Sequence, residues 1–509
     1  MTQEQALAIL KTGASVFLTG QPGSGKTHTI NQYVAWLRGY SIEPALTAST
    51  GIAATHISGM TIHSWSGIGI ANELSRWDLD RIASNERVVK RIAKAHVLII
   101  DEISMLDART LQMVDAVCRR VRRSDLPFGG LQTILVGDFF QLPPIAREGR
   151  TAEFAFRSPA WQSLHPTVCY LSEQYRQDDT DFLSVLGAIR NNTIEKTHRQ
   201  ILASRQPDGD EIAEDIVKLY SHNMDVDRLN DHALARLEGD NRTYEMRTKG
   251  AAHLIESLKR SCLSPAALRL KPGAAVMFTR NDPQGKFVNG TLGTVVRFQK
   301  GTGYPVVRVR AGAEIAAEPM EWKIEDQGDV LASVEQIPLR LAWAMTIHKS
   351  QGMSLDCALM DLGSAFEYGQ GYVALSRVRR LSGLFLVACN ERALQVHPDI
   401  LAQDRVFLED SSAAEKEHAA WTEEEREKIA HAFVTACGGR LGAAKKKPSA
   451  LHAARATSPK AYTRWTACEE KELVSLFNDG SATQDIARKL ERKQGGIISR
   501  LKKLGLIEE

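Results

Sequence analysis

The chain has no pair of cysteines at metal-binding or redox spacing, no long apolar run and no excess of either charge. Its seven cysteines (Cys118, Cys169, Cys262, Cys357, Cys389, Cys437 and Cys468) never form C-x-x-C, so a zinc ribbon or a dithiol centre is excluded and the thiols are read as reduced. No stretch approaches the roughly 20 apolar residues that cross a bilayer. The opening residues, MTQEQALAIL, lack the basic-then-apolar order of a secretory leader. A cytoplasmic address with no membrane partner is therefore expected. With 64 basic and 61 acidic residues the net charge is +3, so any binding of a polyanion must use local basic surfaces rather than a global field. What is there is globular: 43% hydrophobic and 25% charged residues over 509 positions, enough for several units with sizeable cores.

The first chemistry-bearing stretch is ASVFLTGQPGSGKTHTINQYVAWL. A β-rich apolar segment (Val16, Phe17, Leu18) runs into Gly20-x-x-x-x-Gly25-Lys26-Thr27 and then into helical spacing at Ile30, Val34 and Leu37. That strand, loop and helix context is what a phosphate loop requires. Glycines let backbone N–H groups curl around phosphate oxygens at a helix N-terminus, so Gly20, Gly23, Ser24, Gly25, Lys26, Thr27 and His28 are the candidate nucleotide-binding residues. Lys26 would reach the terminal phosphates and Thr27 would hold Mg²⁺. In AHVLIIDEISMLD, the buried-strand pattern Val97 to Ile100 ends in Asp101, a second Mg²⁺ ligand, and Glu102, a candidate general base. An Asp-Glu pair alone is usually only solvated, and this one gains meaning from following a phosphate loop. LQTILVGDFFQLPP then carries Gln141 beyond a third strand, where an amide can sense the γ-phosphate; the plainer alternative is a loop stiffened by Pro143 and Pro144.

Seven stretches, TGQPGSGKT, TASTGIAATHISGMTIHSW, DEISML, LVGDFFQLPP, LSEQYRQ, LAWAMTIHKSQGMSLD and GYVALSRVRRLSGL, resemble in order the motifs of a superfamily 1 DNA helicase, most closely the Pif-type (petite integration frequency) family related to RecD-like helicases. The match runs from about Gln5 to about Asn390. The resemblance implies an α/β fold of two RecA-like P-loop domains, ATP and Mg²⁺ in the cleft between them, and single-stranded or forked DNA across both. It implies that Arg176 and Arg377 send guanidinium groups to the γ-phosphate, that Gln351 and Gly352 face the cleft, and that Gln5 reads the adenine edge, with Gln3 as the competing choice. On the DNA side it implies backbone contacts from Thr50, Thr55, His63, Thr346 and His348, with Trp65 either a base-stacking platform or a core residue.

Two insertions are expected: a strand-separating wedge at about 66–93, and a small SH3-like barrel at 276–335 with a hairpin turn at Asn289-Gly290. The barrel divides the second RecA-like domain into 171–275 and 336–405, behind a first domain of 1–170. After about Val406 the resemblance ends. WTEEEREKIAHAF and WTACEEKELVSLF align without gaps as an internal repeat. The first copy lies in a linker with a degenerate Myb-like repeat, 406–456, and the second in a Myb-like helix-turn-helix, 457–509. There Ile486, Leu490, Ile497, Leu501 and Leu504 form the apolar stripe, while Arg492, Lys493 and Arg500 lie on a basic face for duplex DNA or for a protein.

The reading that follows is a monomeric ATP-dependent DNA helicase moving 5′ to 3′, in replication, recombination or repair. Its rivals are a DNA-translocating ATPase that strips proteins without unwinding, favoured if 66–93 lacks a firm hairpin, and a DNA-targeted ATP switch or scaffold.

Overall fold

The structure is a computed structural model. It describes residues 1–440 apart from 58, 70, 72, 145–152, 174–178, 208–215, 222, 281, 283, 285, 288, 310–311, 327–328 and 352–354; beyond 440 it describes 473, 474, 476, 477, 483, 486, 487, 490, 492, 494–504 and 506. Two compact units divide the chain, one of Met1–Arg38 with Ile42–Gly438 and one of Gly39–Ser41 with Gly439–Glu509.

The first lobe is a six-stranded parallel sheet of β1 (Val16–Gly20), β2 (Ala45–Ala48), β3 (Met60–Thr61), β4 (Val97–Asp101), β5 (Gln132–Val136) and β6 (Thr167–Leu171), in the order β3-β2-β4-β5-β1-β6. Every residue of β1 and β5 is buried, which explains their apolar runs Val16–Leu18 and Ile134–Val136: a parallel strand has helices over both faces. The helix Lys26–Gly39 carries the chain from β1 to β2. The helix Ala108–Arg122 carries it from β4 to β5 and starts where the Asp107 carboxylate accepts from the Thr110 N–H. Such crossovers leave the phosphate loop, Asp101 and the turn after β5 together at the carboxyl edge of three adjacent strands, the usual ligand edge of an open α/β sheet.

The second lobe is a four-stranded parallel sheet, in the order Ala344–Thr346, Val217–Tyr220, Ala358–Leu362, Leu384–Cys389. Between its first two strands in the chain lie antiparallel sheets. One has five strands (Ala275–Phe278, Leu292–Phe298, Pro305–Val309, Glu314–Ala316 and Leu339–Leu341), another joins Arg247–Gly250, Met320–Asp326 and Asp329–Gln336, and a third pairs Arg242–Glu245 with Ala267–Leu270. The antiparallel region thus runs from 242 to 341, wider than the expected 276–335, because its first strands precede the period-two stretch that signalled it. Gly290 has φ +89°, in keeping with a turn before Leu292–Phe298.

The expected boundary at 406 is corrected. Helix Pro398–Ala419 packs along β6 and drives Phe407 into the aromatic core of the first lobe, 4.9 Å from the Phe17 ring. Helix Glu423–Ala436 packs against the first helix, Gln3–Lys11. The first copy of the repeat therefore belongs to the larger unit. Its shared Thr and Glu have a local cause: Thr422 and Glu425 form a capping box, a helix-start device that Thr466 and Glu469 repeat in sequence. The second copy falls in the other unit, where Leu473, Ile486, Leu490, Ile497 and Leu501 are buried together. Leu504 is instead exposed, and Arg492 is buried rather than on a solvated basic face; Arg500 is intermediate and Lys493 lies outside the described residues.

Gly13 shows how tightly the returning helix fits. It sits at φ +88° just past the first helix, and a Cβ there would lie 2.3 Å from the Phe433 ring. Gly13→Ala is expected to lower unfolding stability by about 1–3 kcal/mol through backbone strain and this overlap; a melting curve superimposable on the parent's would contradict the packing.

Candidate active site

The loop after β1 has Gly20, Gly23 and Gly25 at φ +143°, +91° and +90°, a backbone that side chains oppose. Space reinforces the choice, since a Cβ on Gly20 would lie 2.7 Å from the Leu171 carbonyl and 2.8 Å from Ser24 Oγ. Lys26 Nζ turns back onto the loop, donating to the Gly20 carbonyl at 2.7 Å and the Gln21 carbonyl at 3.1 Å. Burial holds its pKa below the ordinary lysine value, opposed by the carboxylates of Asp138, Glu102 and Asp101. Thr27 and His28 are exposed at the start of the helix.

Asp101 ends β4, and its carboxylate accepts from the Glu102 N–H at 2.9 Å. Glu102 has left-handed backbone angles (φ 51°, ψ 48°), which turn its side chain off the strand. Burial and then the neighbouring Asp101 push its pKa up to about 7, against the pull of Lys26, Arg377 and a hydrogen bond from Gln351. Burial also raises Asp101. A carboxyl poised near neutrality beside an acidic neighbour suits proton abstraction from water.

The second lobe completes this site. Gln351 Nε2 donates to Glu102 Oε2 and to Gln141 Oε1, both at 3.2 Å, so one amide joins the general-base candidate and the sensor candidate. Arg377 is buried after the helix Gln370–Leu375, with Nε on the Val373 carbonyl and Nη2 on Ser376 Oγ, and its charge acts on Glu102. Ser24 Oγ and Gln351 Oε1 are buried without a hydrogen-bond partner, two orphaned polar atoms on the two sides of one site. Arg176 and Gly352 lie outside the described residues.

Several expectations change. Gln5 is not at the nucleotide loop: its Oε1 accepts from the Thr2 N–H in a capping box and its Nε2 donates to Glu415. Gln3, two residues earlier on the helix, donates to the Ser24 carbonyl at 3.1 Å, and a Cβ on Gly25 would collide with its amide. Trp65 is 2% exposed in the first-lobe core, so it is no stacking platform; the aromatic this region exposes is Trp77, at 72%, with the Arg81 guanidinium 5.7 Å from its ring. Thr346 is 1% exposed at its strand end, which removes it as a surface contact in this conformation. Thr50 and His63 are partly accessible at the carboxyl ends of β2 and β3, and the side chains of Thr55 and His348 lie outside what the structure describes. The expected wedge is helical, Arg76–Ala83 and Glu86–Lys94, with no strand among the described residues of 66–93. Missed altogether was Arg190, fully buried and bonded to Asp138. Its only signal was an arginine closing the apolar helix TDFLSVLGAIR.

Fold and site together define a P-loop nucleotide-hydrolase with two parallel-sheet lobes and a catalytic centre drawn from both. The PIF1-like helicase family model matches residues 3–200, and the model of the DNA helicase Pif1 2B domain matches 253–298. An ATP-dependent DNA helicase Pif1 from Psychrobacter sp. (strain PRwf-1) is 40% identical over 510 residues, spanning 87% of this chain and 76% of the relative. Its counterpart from Bdellovibrio bacteriovorus is 38% identical over 400 residues, 78% of this chain and 90% of the relative. Crystal structures of Bacteroides sp Pif1 are similar: the complex with ADP-AlF4 at TM-score 0.70 and 28% identity, covering 80% of this chain and 96% of that one, and the complex with ADP-AlF3 and single-stranded DNA at TM-score 0.59 and 29% identity, with the same coverage. The chain belongs to the PIF1-like helicase family.

The two glutamines give a direct check. Gln3→Ala should raise the KM for ATP by roughly tenfold, the worth of a hydrogen bond in a buried site, while Gln5→Ala stays near the parent value in the same titration. The opposite ranking would reinstate Gln5.

Proposed function

We propose that the chain is an ATP-dependent DNA helicase that translocates on single-stranded DNA, 5′ to 3′, and opens duplexes in replication, recombination or repair. The observation that carries this is the Gln351 amide, which hydrogen-bonds Glu102 and Gln141 from the opposite lobe. A hydrolytic site whose groups come from two lobes changes shape when the nucleotide does, and that is the minimal requirement for a motor.

In this reading the phosphate loop and Lys26 hold the triphosphate of ATP, and Gln3 faces the base. Thr27 and Asp101 are the pair that would hold Mg²⁺, a hydroxyl and a carboxylate suited to a hard cation. That ion supplies charge neutralisation on the phosphates. Glu102, with its carboxyl near neutrality, takes the proton of the attacking water. Gln141 and Gln351 sense the terminal phosphate from opposite sides. Arg377, with Arg176 by resemblance, meets the charge that builds on the transferring phosphoryl.

Single-stranded and forked DNA are the proposed substrates, and one Bacteroides Pif1 neighbour is bound to single-stranded DNA. Thr50, Thr55, His63 and His348 are the proposed backbone contacts. The enzyme acts as a monomer, and its C-terminal helices take duplex DNA or a protein. One observation favours a second reading, translocation that strips proteins without unwinding: 66–94 folds as two helices, with no hairpin among its described residues.

Glu102→Gln should keep nucleotide and single-strand binding while DNA-stimulated hydrolysis falls by about 10²–10⁴, the usual worth of a general base. Arg377→Ala should cost on the order of 10³–10⁵ in rate with single-strand affinity little changed. Normal turnover in either variant removes that residue from the chemistry. Unwinding by the parent chain of a 5′-tailed but not a 3′-tailed duplex supports the polarity; bound protein displaced from single strands while both duplexes stay intact would favour the second reading.

A further inference from the structure

Arg190 ends the helix Thr180–Arg190, which packs against the second-lobe helix Gln370–Leu375. Its guanidinium nevertheless sits among first-lobe groups. Nη1 lies 2.9 and 3.0 Å from the two oxygens of Asp138, Nη2 is 2.6 Å from the Tyr170 hydroxyl, and the Phe140 ring centroid is 3.8 Å from the guanidinium carbon. The same Nη1 donates at 3.0 Å to the hydroxyl of Tyr372, on the helix that leads to Arg377, and Asp404 approaches Nη2 at 3.5 Å. Arg190 and Asp138 are both fully buried.

Asp138 and Phe140 belong to the turn that carries Gln141. That turn meets the Arg377 helix a second time: Gly369, its N-cap, sits at φ +75°, and a Cβ there would lie 2.5 Å from the Phe140 carbonyl and 3.0 Å from the Gln141 carbonyl. The sensor turn and the arginine helix are therefore in backbone contact at Gly369 and cross-linked at Tyr372 through a charge that neither element supplies. A buried ion pair seldom adds net stability, but it fixes one arrangement, because every alternative leaves a charge unpaired in the interior. Asp138 is also the leading carboxylate acting on Lys26, so this ion pair borders the phosphate loop.

We propose that Arg190 is a positioning residue that sets the register between the Gln141 turn and the helix delivering Arg377, with the Tyr372 hydroxyl as the link that transmits nucleotide state from one lobe to the other. The proposal rests on the helicase reading above and extends it to residues that touch neither nucleotide nor DNA. Asp138 and Tyr170 hold the guanidinium in the first-lobe cluster, and the single bond to Tyr372 ties that cluster to the helix leading to Arg377.

Tyr372→Phe removes that bond and keeps the ring. Tyr170→Phe removes a bond from the same guanidinium to an edge strand that carries no catalytic group, together with that hydroxyl's bond to Asp404, and so serves as the control. With the full chain, steady-state ATPase is measured against ATP and against oligo(dT), with single-strand affinity by fluorescence anisotropy and melting temperature for each variant. In Tyr372→Phe, kcat of the DNA-stimulated reaction should fall by roughly tenfold, as for loss of a hydrogen bond to a charged group, while the KM for ATP, DNA affinity and melting temperature stay near the parent's. Tyr170→Phe should lower the melting temperature and keep kcat. Arg190→Lys, which keeps the charge but not the planar fork, should match the kcat loss of Tyr372→Phe. Unchanged kcat in Tyr372→Phe overturns the proposal. So does an equal loss in Tyr170→Phe, or a loss accompanied by parallel falls in DNA affinity and melting temperature, either of which would make the cluster merely structural. A parent chain with no DNA stimulation would instead bring down the helicase reading itself.

Discussion

One side-chain amide, that of Gln351, decides whether this molecule is a static pair of lobes or a coupled one. From the second lobe it donates to the Glu102 carboxylate and the Gln141 amide, the two first-lobe groups proposed to act on a terminal phosphate. Around that contact the electrostatics are concentrated: two adjacent carboxyls raised by burial, a lysine depressed by burial, and the Arg377 charge arriving from the other side. Such a site is poorly satisfied by protein alone, as the orphaned Ser24 and Gln351 oxygens show, and well suited to a multiply charged ligand that bridges the lobes.

The rest of the ATPase unit keeps those groups in register. Parallel strands buried on both faces set the carboxyl edge from which the phosphate loop, Asp101 and the sensor turn project. The returning helix Pro398–Ala419 fastens the chain beyond the second lobe back onto β6 through Phe407, and its Ser411 hydroxyl accepts from the Tyr170 N–H. The helix after it braces the first helix, whose Gln3 rests on the Ser24 carbonyl. The proposed nucleotide contact and the packing of helix Glu423–Ala436 thus share one short helix.

Much of this was legible in the sequence. The phosphate loop, the Asp101-Glu102 strand end and the α/β class all follow from local patterns, because glycine conformations and fully buried strands leave direct marks on residue choice. What failed was non-local. Gln3 and Gln5 are equally polar on one short helix, and only the neighbours, Ser24 for one and Glu415 for the other, separate them. Trp65 sits in a motif-like stretch, yet helix Glu86–Lys94 of the insertion and helix Ala108–Arg122 pack against the short helix that carries it and bury it. The repeat starting at Trp421 and Trp465 shares a helix-start pattern in sequence, but which unit the first copy joins depends on partners such as Gly13, hundreds of residues away. Arg190 left almost no local signal, since a buried arginine is explained only by the Asp138 it meets.

Completion of the hydrolytic site across the lobes is tested most directly by the affinity of the ADP–aluminium fluoride complex relative to ADP, with single-stranded DNA present. The parent chain should bind the transition-state mimic far more tightly than ADP, and Gln351→Ala should lose most of that preference while its affinity for ADP holds. A Gln351→Ala chain that keeps the full preference would place the whole of the chemistry in the first lobe and contradict the account.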